Sequence, residues 1–424
     1  MNNVTKKVER EVVYIVIAMN MVVSVIFFMK RKCEIPFFLA LFNLLVEYRT
    51  ISLELGYSDW VKIDYGIYFV FNLEYAYKVS ELILLGTSVL IYSFILFYRS
   101  PSRVRGDSNK DLGDFIRSNS KLIIVGLAAF TVFEVVVSGL ISQNYGKFAK
   151  LGISSFVILF FLLFVFNENK SNTTKLMFLV VFICLAYITY NPNIRFQFLS
   201  WMVPVGYFIV RTIKPLPKVL LLFVGLYLVL LVFSAAGVLR YKKMEALTFS
   251  ELYDYSFYRM KIAEDVNFID GFMMLHQVFP KKLDHTYGMD HIGIFLRPVP
   301  REVWPNKPLA SWLQSYYAKH GMKGFWNAGF SPTLYGVFYS EMGVTGIFFF
   351  SVLWAIMLTY AYRLTQRFNS EIRAILVGIL LASMIPIFRS GDLPGDFAIA
   401  LMSYWPFLLF IRYYNKYLIT KGVV

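Results

Sequence analysis

Cysteine is almost absent from this chain, since Cys33 and Cys184 are the only two among 424 residues. Each lies in or beside a different apolar run, and they form no close-spaced pair. A disulfide framework or a cysteine zinc site would need several cysteines at short, regular spacings. Neither is therefore expected, and cysteine usage leaves the redox compartment open.

Charged residues are also scarce. They form 16% of the chain, whereas soluble proteins carry about 25%. Hydrophobic residues reach 58%, and runs of the roughly 20 apolar residues that a membrane span needs recur from Val12 almost to the C-terminus. This composition excludes an ordinary soluble domain and predicts an all-α, polytopic integral membrane protein.

Acidic residues are the rarer of the two charge types, with 27 Asp and Glu against 42 Lys and Arg, a formal net charge of +15. A basic protein suggests nucleic acid as a partner. Here, however, Lys and Arg lie mainly in short segments between apolar runs, where attraction to anionic lipid on the cytoplasmic side explains them. We therefore expect contact with membrane lipid and no nucleic-acid partner.

The apolar runs are long enough to predict spans directly. They cover residues 12–29, 35–53, 79–98, 121–142, 149–166, 175–190, 194–210, 217–239, 333–362, 371–388 and 395–413. The first is interpreted as a retained span, because it is too long for a signal-peptide core and no small-residue cleavage site follows it. The aromatic stretch 64–77 is a candidate for a short or re-entrant extra span. The sequence thus predicts about 11 or 12 transmembrane helices and leaves the side of the N-terminus open.

Basic residues indicate the orientation of these spans. They cluster in residues 98–121, 210–218 and 362–373 and in the tail from Arg412, which places all four on the cytoplasmic side and segment 240–332 outside. Three regions are therefore predicted: an N-terminal transmembrane helix bundle (1–239), a large outer loop with surface helices (240–332) and C-terminal transmembrane helices (333–424).

Two groups of acids in or beside apolar runs have a structural interpretation. Glu134 lies near the centre of run 121–142, where an ionised carboxylate is costly, so we expect it to have a partner, face a cavity or be protonated. Glu74, Lys78 and Glu81 have the spacing of neighbours on one helix face.

Histidine occurs only four times, and all four positions, 276, 285, 291 and 320, lie in segment 240–332. The same segment contains "RPVPREVWPNKP", residues 297–308, in which four prolines forbid regular helix or sheet and stiffen the backbone. Arg297, Arg301 and Lys307 project from this scaffold. Guanidinium groups bind phosphate oxygens bidentately, so the segment suits a lipid-linked diphosphate, although a proline-rich loop with solvated charges remains the alternative.

This segment, together with the preceding "TYG" (286–288) and the following "FSPTLYGVFYSEMGVTGIF" (330–348), resembles the signature of the bacterial O-antigen polymerases, the Wzy family of oligosaccharide repeat-unit polymerases. The stretch "ITYNPNIRFQFLSW" resembles the smaller outer-loop arginine motif of that family, here with Arg195. The resemblance is specific over about 286–348 and weak over 189–200. One departure is Val337, because relatives often have an acid shortly before the tyrosine that corresponds to Tyr339.

The resemblance implies a reaction, a location and partners. Such polymerases transfer a growing glycan from undecaprenyl diphosphate onto the non-reducing end of a fresh lipid-linked repeat unit, at the periplasmic side of the bacterial inner membrane, without a nucleotide sugar or other cofactor. The implied partners are an undecaprenyl-diphosphate-linked oligosaccharide and a chain-length-regulating membrane protein. Displacement at the anomeric carbon needs positive charge for the departing diphosphate and an acceptor for the hydroxyl proton.

Candidates for both roles can be named. For diphosphate binding they are Arg297, Arg301, Lys307, Arg195 and Arg259. For proton acceptance they are His291, Asp290, Glu302 and His285. A structural role for any single histidine remains open, and "DHTYGMDH" has no metal-ligand spacing, so no metal is expected.

Three alternatives stay open. An O-antigen ligase differs only in its acceptor. Another lipid-linked-sugar glycosyltransferase could use the early acids Glu54, Asp59 and Asp64. A lipid-linked oligosaccharide flippase is the non-enzyme alternative, but the chain lacks the repeated halves and short loops that are typical of transporters.

Overall fold

The computed structural model describes residues 3–60, 69–99, 109–140, 150–166, 171–190, 196–212, 224, 227–228, 230–239, 247–262, 266–297, 299, 304, 312–319, 331–389 and 391–421. Within these ranges all regular secondary structure is helical. The helices are, in chain order, α1 (Asn3–Arg31), α2 (Ile35–Glu54), α3 (Leu73–Phe97), α4 (Asn109–Ser118), α5 (Ser120–Leu140), α6 (Ile153–Phe166), α7 (Asn172–Thr189), α8 (Phe196–Thr212), α9 (Phe249–Lys261), α10 (Phe268–Val278), α11 (Met289–Leu296), α12 (Trp312–Lys319), α13 (Thr333–Thr365), α14 (Ser370–Arg389) and α15 (Leu393–Thr420). A further helical stretch, Leu230–Leu239, follows α8.

Seven of these helices have the length and hydropathy of a membrane span. They are α1 from Arg10 onward, α2, α3, α7, α13, α14 and α15. Helices α4 and α5 reach this length and hydropathy only when they are taken together, and they meet at an angle of 59°. The protein is therefore a polytopic all-α membrane protein, which confirms the predicted fold class.

Each predicted apolar run coincides at least in part with a helix. Runs 149–166, 194–210 and 217–239 correspond to α6, α8 and Leu230–Leu239, which are shorter within the described residues than any of the seven. Residues 64–68 of the aromatic stretch lie outside the described residues, and α3 begins at Leu73. The total of about 11 or 12 spans stays a prediction.

Helix boundaries follow from local sequence. Asn72 Oδ1 accepts a hydrogen bond from the Tyr75 amide at 2.8 Å where α3 begins, and Asn369 Oδ1 accepts from the Ile372 amide at 2.9 Å where α14 begins. Pro36 lies in the first turn of α2, where an amide N–H would have no partner within the helix. Side-chain oxygens at such positions satisfy amides that the helix itself leaves unpaired.

The described elements form two packed groups. The first comprises Met1–Ser100, Ser250–Ala361 and Ile385–Phe397, and the second comprises Pro101–Phe249, Tyr362–Met384 and Ala398–Val424. Helices α13, α14 and α15 contribute to both. The predicted division into 1–239, 240–332 and 333–424 concerns the order along the chain and stays a prediction.

In the first group, the short helix α10 packs on α2 and α3 and buries nearly all of its side chains. Gly271 lies so near the Ser331 carbonyl that a Cβ atom there would be 2.7 Å from its oxygen. Arg49 of α2 reaches the same helix, where its Nε donates to Asp270 Oδ2 at 2.9 Å. Both side chains are buried, so α10 is attached by a charged pair as well as by apolar packing.

In the second group, α6 is enclosed by α4, α5, α7 and α8. Its sequence, "ISSFVILFFLLFVF", is apolar on every side after the first turn, as expected of a helix surrounded by others. Its two serines donate to backbone carbonyls, Ser154 to Gln197 and Ser155 to Ser403. Nearby in sequence, Glu134 Oε1 lies 3.4 Å from the Nζ atom of Lys150, so the partner expected for this acid is present.

Candidate functional site

Helix α13 is interrupted at Met342 and Gly343. Met342 has φ −150° and ψ 22°, and Gly343 has φ +65° and ψ −146°, a conformation that essentially only glycine adopts. The carbonyl groups of Ser340 and Glu341, just before the break, accept hydrogen bonds from outside the helix. A kink of this kind exposes backbone groups that another segment must satisfy.

Segment 285–287 supplies the donors. The Thr286 amide donates to the Ser340 carbonyl at 3.1 Å, and the Tyr287 amide donates to the Glu341 carbonyl at 3.0 Å. His285 Nδ1 lies 3.1 Å from the same Ser340 oxygen. Because a carbonyl oxygen only accepts, this ring nitrogen carries the proton. The broken helix and the loop thus complete each other's hydrogen bonds.

Helix α11 is attached to the break through Glu341. The amides of Asp290 and His291, in its first turn, donate to Glu341 Oε1 at 3.0 and 3.2 Å. The other oxygen, Oε2, lies 2.6 Å from His291 Nδ1. Glu341 is 0% exposed. Its carboxylate satisfies amides that lack a partner within α11 and interacts favourably with the helix dipole.

Both ring nitrogens of His291 are engaged. Trp354 Nε1 lies 3.0 Å from His291 Nε2, and an indole N–H can only donate, so Nε2 must be the acceptor. The proton therefore resides on Nδ1 and is donated to Glu341. The imidazole also stacks on Phe350, with ring centroids 4.2 Å apart. This arrangement favours an orienting role for His291.

His285 differs from His291 because one of its nitrogens is available. With Nδ1 donating to the Ser340 carbonyl, Nε2 is an acceptor, and it makes no hydrogen bond with the described residues. A Cβ atom at Gly343 would lie 3.6 Å from it, so Nε2 faces Gly343 at the helix break. The ring is held between Phe279 and Tyr339, with centroids 6.2 Å from each.

Asp290 is an acid with a strongly raised pKa. Burial, together with the nearby negative charges of Glu341 and Asp392, raises the pKa of its carboxyl group to about 7, while a hydrogen bond from Thr286 and the proximity of His291 oppose the shift. Thr286 Oγ1 donates to Asp290 Oδ2 at 3.2 Å. A carboxyl group that is about half ionised at neutral pH can either accept or donate a proton.

Arg297 follows the last residue of α11 and pairs with Asp392. The Nη2 and Oδ2 atoms are 3.4 Å apart, and both side chains are about one-third exposed. Asp392 also caps α15, since its Oδ1 accepts from the Gly395 amide at 3.0 Å. Burial raises the pKa of Asp392, and Arg297 partly offsets this. The guanidinium group is thus positioned by a carboxylate yet remains accessible.

His276 lies beside this group, in α10. Its Nδ1 is 2.9 Å from the Tyr75 hydroxyl, and its ring stacks on Tyr339 with centroids 4.8 Å apart. Burial, together with the positive charges of Lys78 and Lys281, lowers its pKa to about 4. At neutral pH it is therefore an uncharged ring that packs behind Tyr339, the residue next to Ser340.

The structure brings together four of the predicted site residues, Asp290, His291, His285 and Arg297. Arg259 lies in α9, on a different helix, and is partly buried. Four predicted residues lie outside the described residues: Glu302, Arg301, Lys307 and Arg195. Most of the proline-rich segment 297–308 also lies outside the described residues, so its stiffness stays a prediction.

Sequence reasoning did not identify Glu341, Trp354 or Thr286 as site residues. For Glu341 a signal was present, because an acid inside an apolar run of about 30 residues is costly unless it has partners. No comparable signal marks Trp354 or Thr286, since both residue types are common at such positions for other reasons. Among the residues that the structure describes, no three His, Cys, Asp or Glu side chains converge as a metal site would require.

Comparison of the chain with protein-family models, with characterised proteins and with solved structures gives no match.

Proposed function

We propose that this protein is a polymerase of lipid-linked oligosaccharides, situated in the bacterial inner membrane with its site facing the periplasm. It transfers a growing glycan from undecaprenyl diphosphate to the non-reducing end of a lipid-linked repeat unit. The resemblance over residues 286–348 motivates the proposal. The arrangement of an acid and an arginine along α11 supports it.

That arrangement is the observation on which the proposal depends most. Asp290 is the second residue of α11 and Arg297 follows its last residue. At 1.5 Å per residue the two positions are about 10 Å apart along the helix axis. We place the acceptor hydroxyl near the acid and the leaving diphosphate near the arginine. Displacement at an anomeric carbon requires these two groups on opposite sides of the reacting atom.

The roles follow from the charges. The acceptor hydroxyl oxygen forms a bond to the anomeric carbon, and the bond from that carbon to the diphosphate oxygen breaks. The ionised carboxylate of Asp290 takes the hydroxyl proton. Arg297 stabilises the departing diphosphate, for which it exchanges its contact with Asp392 for phosphate oxygens. His285, with an available Nε2, is the second candidate for the proton.

The first test is a deletion of the gene in its bacterial host, with the surface glycan resolved by gel electrophoresis. The proposal predicts collapse of the ladder to core plus a single repeat unit. Loss of every repeat would instead indicate a ligase or a flippase. An unchanged ladder would contradict the proposal altogether.

A residue-level test uses Arg297. We expect Arg297→Ala to reduce polymer formation by about a hundredfold or more, the usual effect of removing a group that stabilises developing charge. Arg297→Lys should retain part of the activity, because a point charge cannot reproduce the bidentate guanidinium fork. Arg211→Ala, at an exposed arginine in the last turn of α8, is the matched control. Wild-type polymer length in Arg297→Ala would contradict the role in diphosphate binding.

A further inference from the structure

Within the part of the chain that the structure describes, the carboxylate of Glu341 accepts hydrogen bonds through both of its oxygens. Three N–H groups point to it: the amides of Asp290 and His291 and the Nδ1–H of the His291 ring. A carboxylate is the only side-chain group that accepts through both of its terminal atoms. Glutamine has nearly the same shape but replaces one acceptor with a donor. Position 341 therefore requires an ionised acid for a reason of hydrogen-bond direction as well as of charge.

The donor-to-acceptor direction of these hydrogen bonds runs from Trp354 through His291 to Glu341. The Trp354 indole donates to Nε2, and Nδ1 donates to Glu341. Trp354 is 3% exposed, and its ring contacts Phe338, Phe388 and Phe397. This packing fixes the indole, so the imidazole is held from both sides. A second proton on the ring would point directly at the indole N–H.

We infer that Glu341 and Trp354 hold His291 as an uncharged, Nδ1-protonated positioning residue that fixes α11 against the broken helix, so that Asp290 and not His291 accepts the proton in the reaction. The second half of this inference rests on the proposed function. The first half, the direction of the Trp354–His291–Glu341 hydrogen bonds, is independent of it.

The inference predicts that Glu341→Gln places two hydrogen-bond donors opposite each other in the buried site. If the glutamine oxygen accepts from the α11 amides, its NH₂ group faces Nδ1, and the ring proton must move to Nε2, toward the Trp354 N–H. If the amide group turns over, its NH₂ faces the α11 amides instead. Either orientation leaves two donors face to face, which a buried site tolerates poorly.

Replacing Trp354 removes one of the opposed donors. In Glu341→Gln combined with Trp354→Phe, the ring can carry its proton on Nε2 and accept from the glutamine NH₂ through Nδ1. The double variant should therefore be less impaired than the sum of the two single variants. Two substitutions that act independently of each other would give additive losses.

The first measurement is nitrogen NMR of the full-length protein in lipid bilayers, with ¹⁵N-labelled histidine. The His291 signals are assigned by their loss in His291→Gln. We expect the chemical shifts of a neutral ring with the proton on Nδ1. A ring protonated on Nε2 or on both nitrogens at neutral pH would overturn the inference. This readout does not depend on any enzymatic activity.

The second measurement is a double-mutant cycle in unfolding temperature and in polymer formation. For Glu341→Gln alone we expect polymer formation to fall about tenfold or more, the usual effect of losing a hydrogen bond to a charged group. Adding Trp354→Phe should restore part of it. The matched control adds Trp201→Phe, which removes another indole donor, the one bonded to Thr189 at 2.7 Å, and should give additive losses.

The two readouts separate the possible failures. If the wild-type protein forms no polymer but the unfolding temperatures show the expected coupling, the proposed function fails and the positioning role of Glu341 stands. Additive losses with Trp354→Phe in both readouts would overturn the positioning role itself.

Discussion

At the scale of single residues, the ionised form of Asp290 is stabilised by few groups. Glu341 approaches it from α13 and Asp392 from the start of α15, and both are acids. Thr286 and His291 offset them only in part. A site with this arrangement keeps a carboxyl group near the midpoint of its titration, which favours proton transfer and opposes stability.

The raised pKa of Asp290 predicts how the stability of the protein depends on pH. The carboxyl pKa of Asp290 rises from an ordinary value of 3.8 to about 7 in the folded protein. Between these values the folded state binds more protons than the unfolded state, so the contribution of Asp290 to stability is lost as pH rises. Asp290→Asn removes the group that titrates. We expect the variant to be more stable than wild type above about pH 7, by up to about 2 kcal/mol once solvent screening is allowed for.

The measurement is the unfolding temperature of both proteins in detergent at about pH 5 and about pH 8. Because all other titrating groups are shared, the difference between the two proteins isolates Asp290. A difference that does not change with pH would contradict the prediction. The variant should also lose polymer formation, as expected if function at this position is maintained at the expense of stability.

At the scale of elements, the break in α13 separates what the sequence predicts from what it does not. The apolar run 333–362 correctly predicts a long helix, which spans Thr333–Thr365. A glycine within such a run is ambiguous, because helices tolerate single glycines. Only the donors of segment 285–287, more than 50 residues earlier in the chain, make a break favourable here. Such a pairing has no local pattern, and for the same reason sequence reasoning missed the contact between Glu341 and α11.

Gly343→Ala tests the importance of the break. At φ +65° and ψ −146° a side chain is strained by about 1–3 kcal/mol, and its Cβ atom would approach His285 Nε2. We expect a lower unfolding temperature and impaired polymer formation. Gly206→Ala is the matched control. Gly206 lies within α8 with no atom within 4 Å of the added Cβ, so alanine there should be neutral or stabilising. Equal effects of the two substitutions would show that the break has no special role.

At the scale of the whole molecule, hydropathy and charge predict most of the organisation. The apolar runs locate helices because a bilayer requires every backbone polar group to be paired within its own segment. They do not predict how the site is assembled, since α11, Glu341 and Asp392 come from separate parts of the chain and their approach depends on tertiary packing. The orientation of the helices stays a prediction, which depends on the basic clusters alone.

Orientation is directly testable by labelling single cysteines in a background without Cys33 and Cys184. Phe249→Cys, at a side chain that is 87% exposed, should react with a membrane-impermeant maleimide in intact spheroplasts. Lys416→Cys, at an exposed residue of α15, should react only after permeabilisation. The reverse pattern would place segment 240–332 inside the cell and would contradict a periplasmic site.

The buried pair of Arg49 and Asp270 also bears on biogenesis. Its members are 221 residues apart in the chain, so a ribosome working at about 5–20 residues per second needs roughly 10–40 s to make the second after the first. By contrast, Arg10 and Glu47, separated by 37 residues, can pair while α3 is still being made. A guanidinium group within a span is costly without a partner. Until α10 is made, the Arg49 guanidinium group can donate to the Asp59 carbonyl, ten residues later, but it has no carboxylate partner from α10. The charge of Arg49 is therefore balanced only when Asp270 is made.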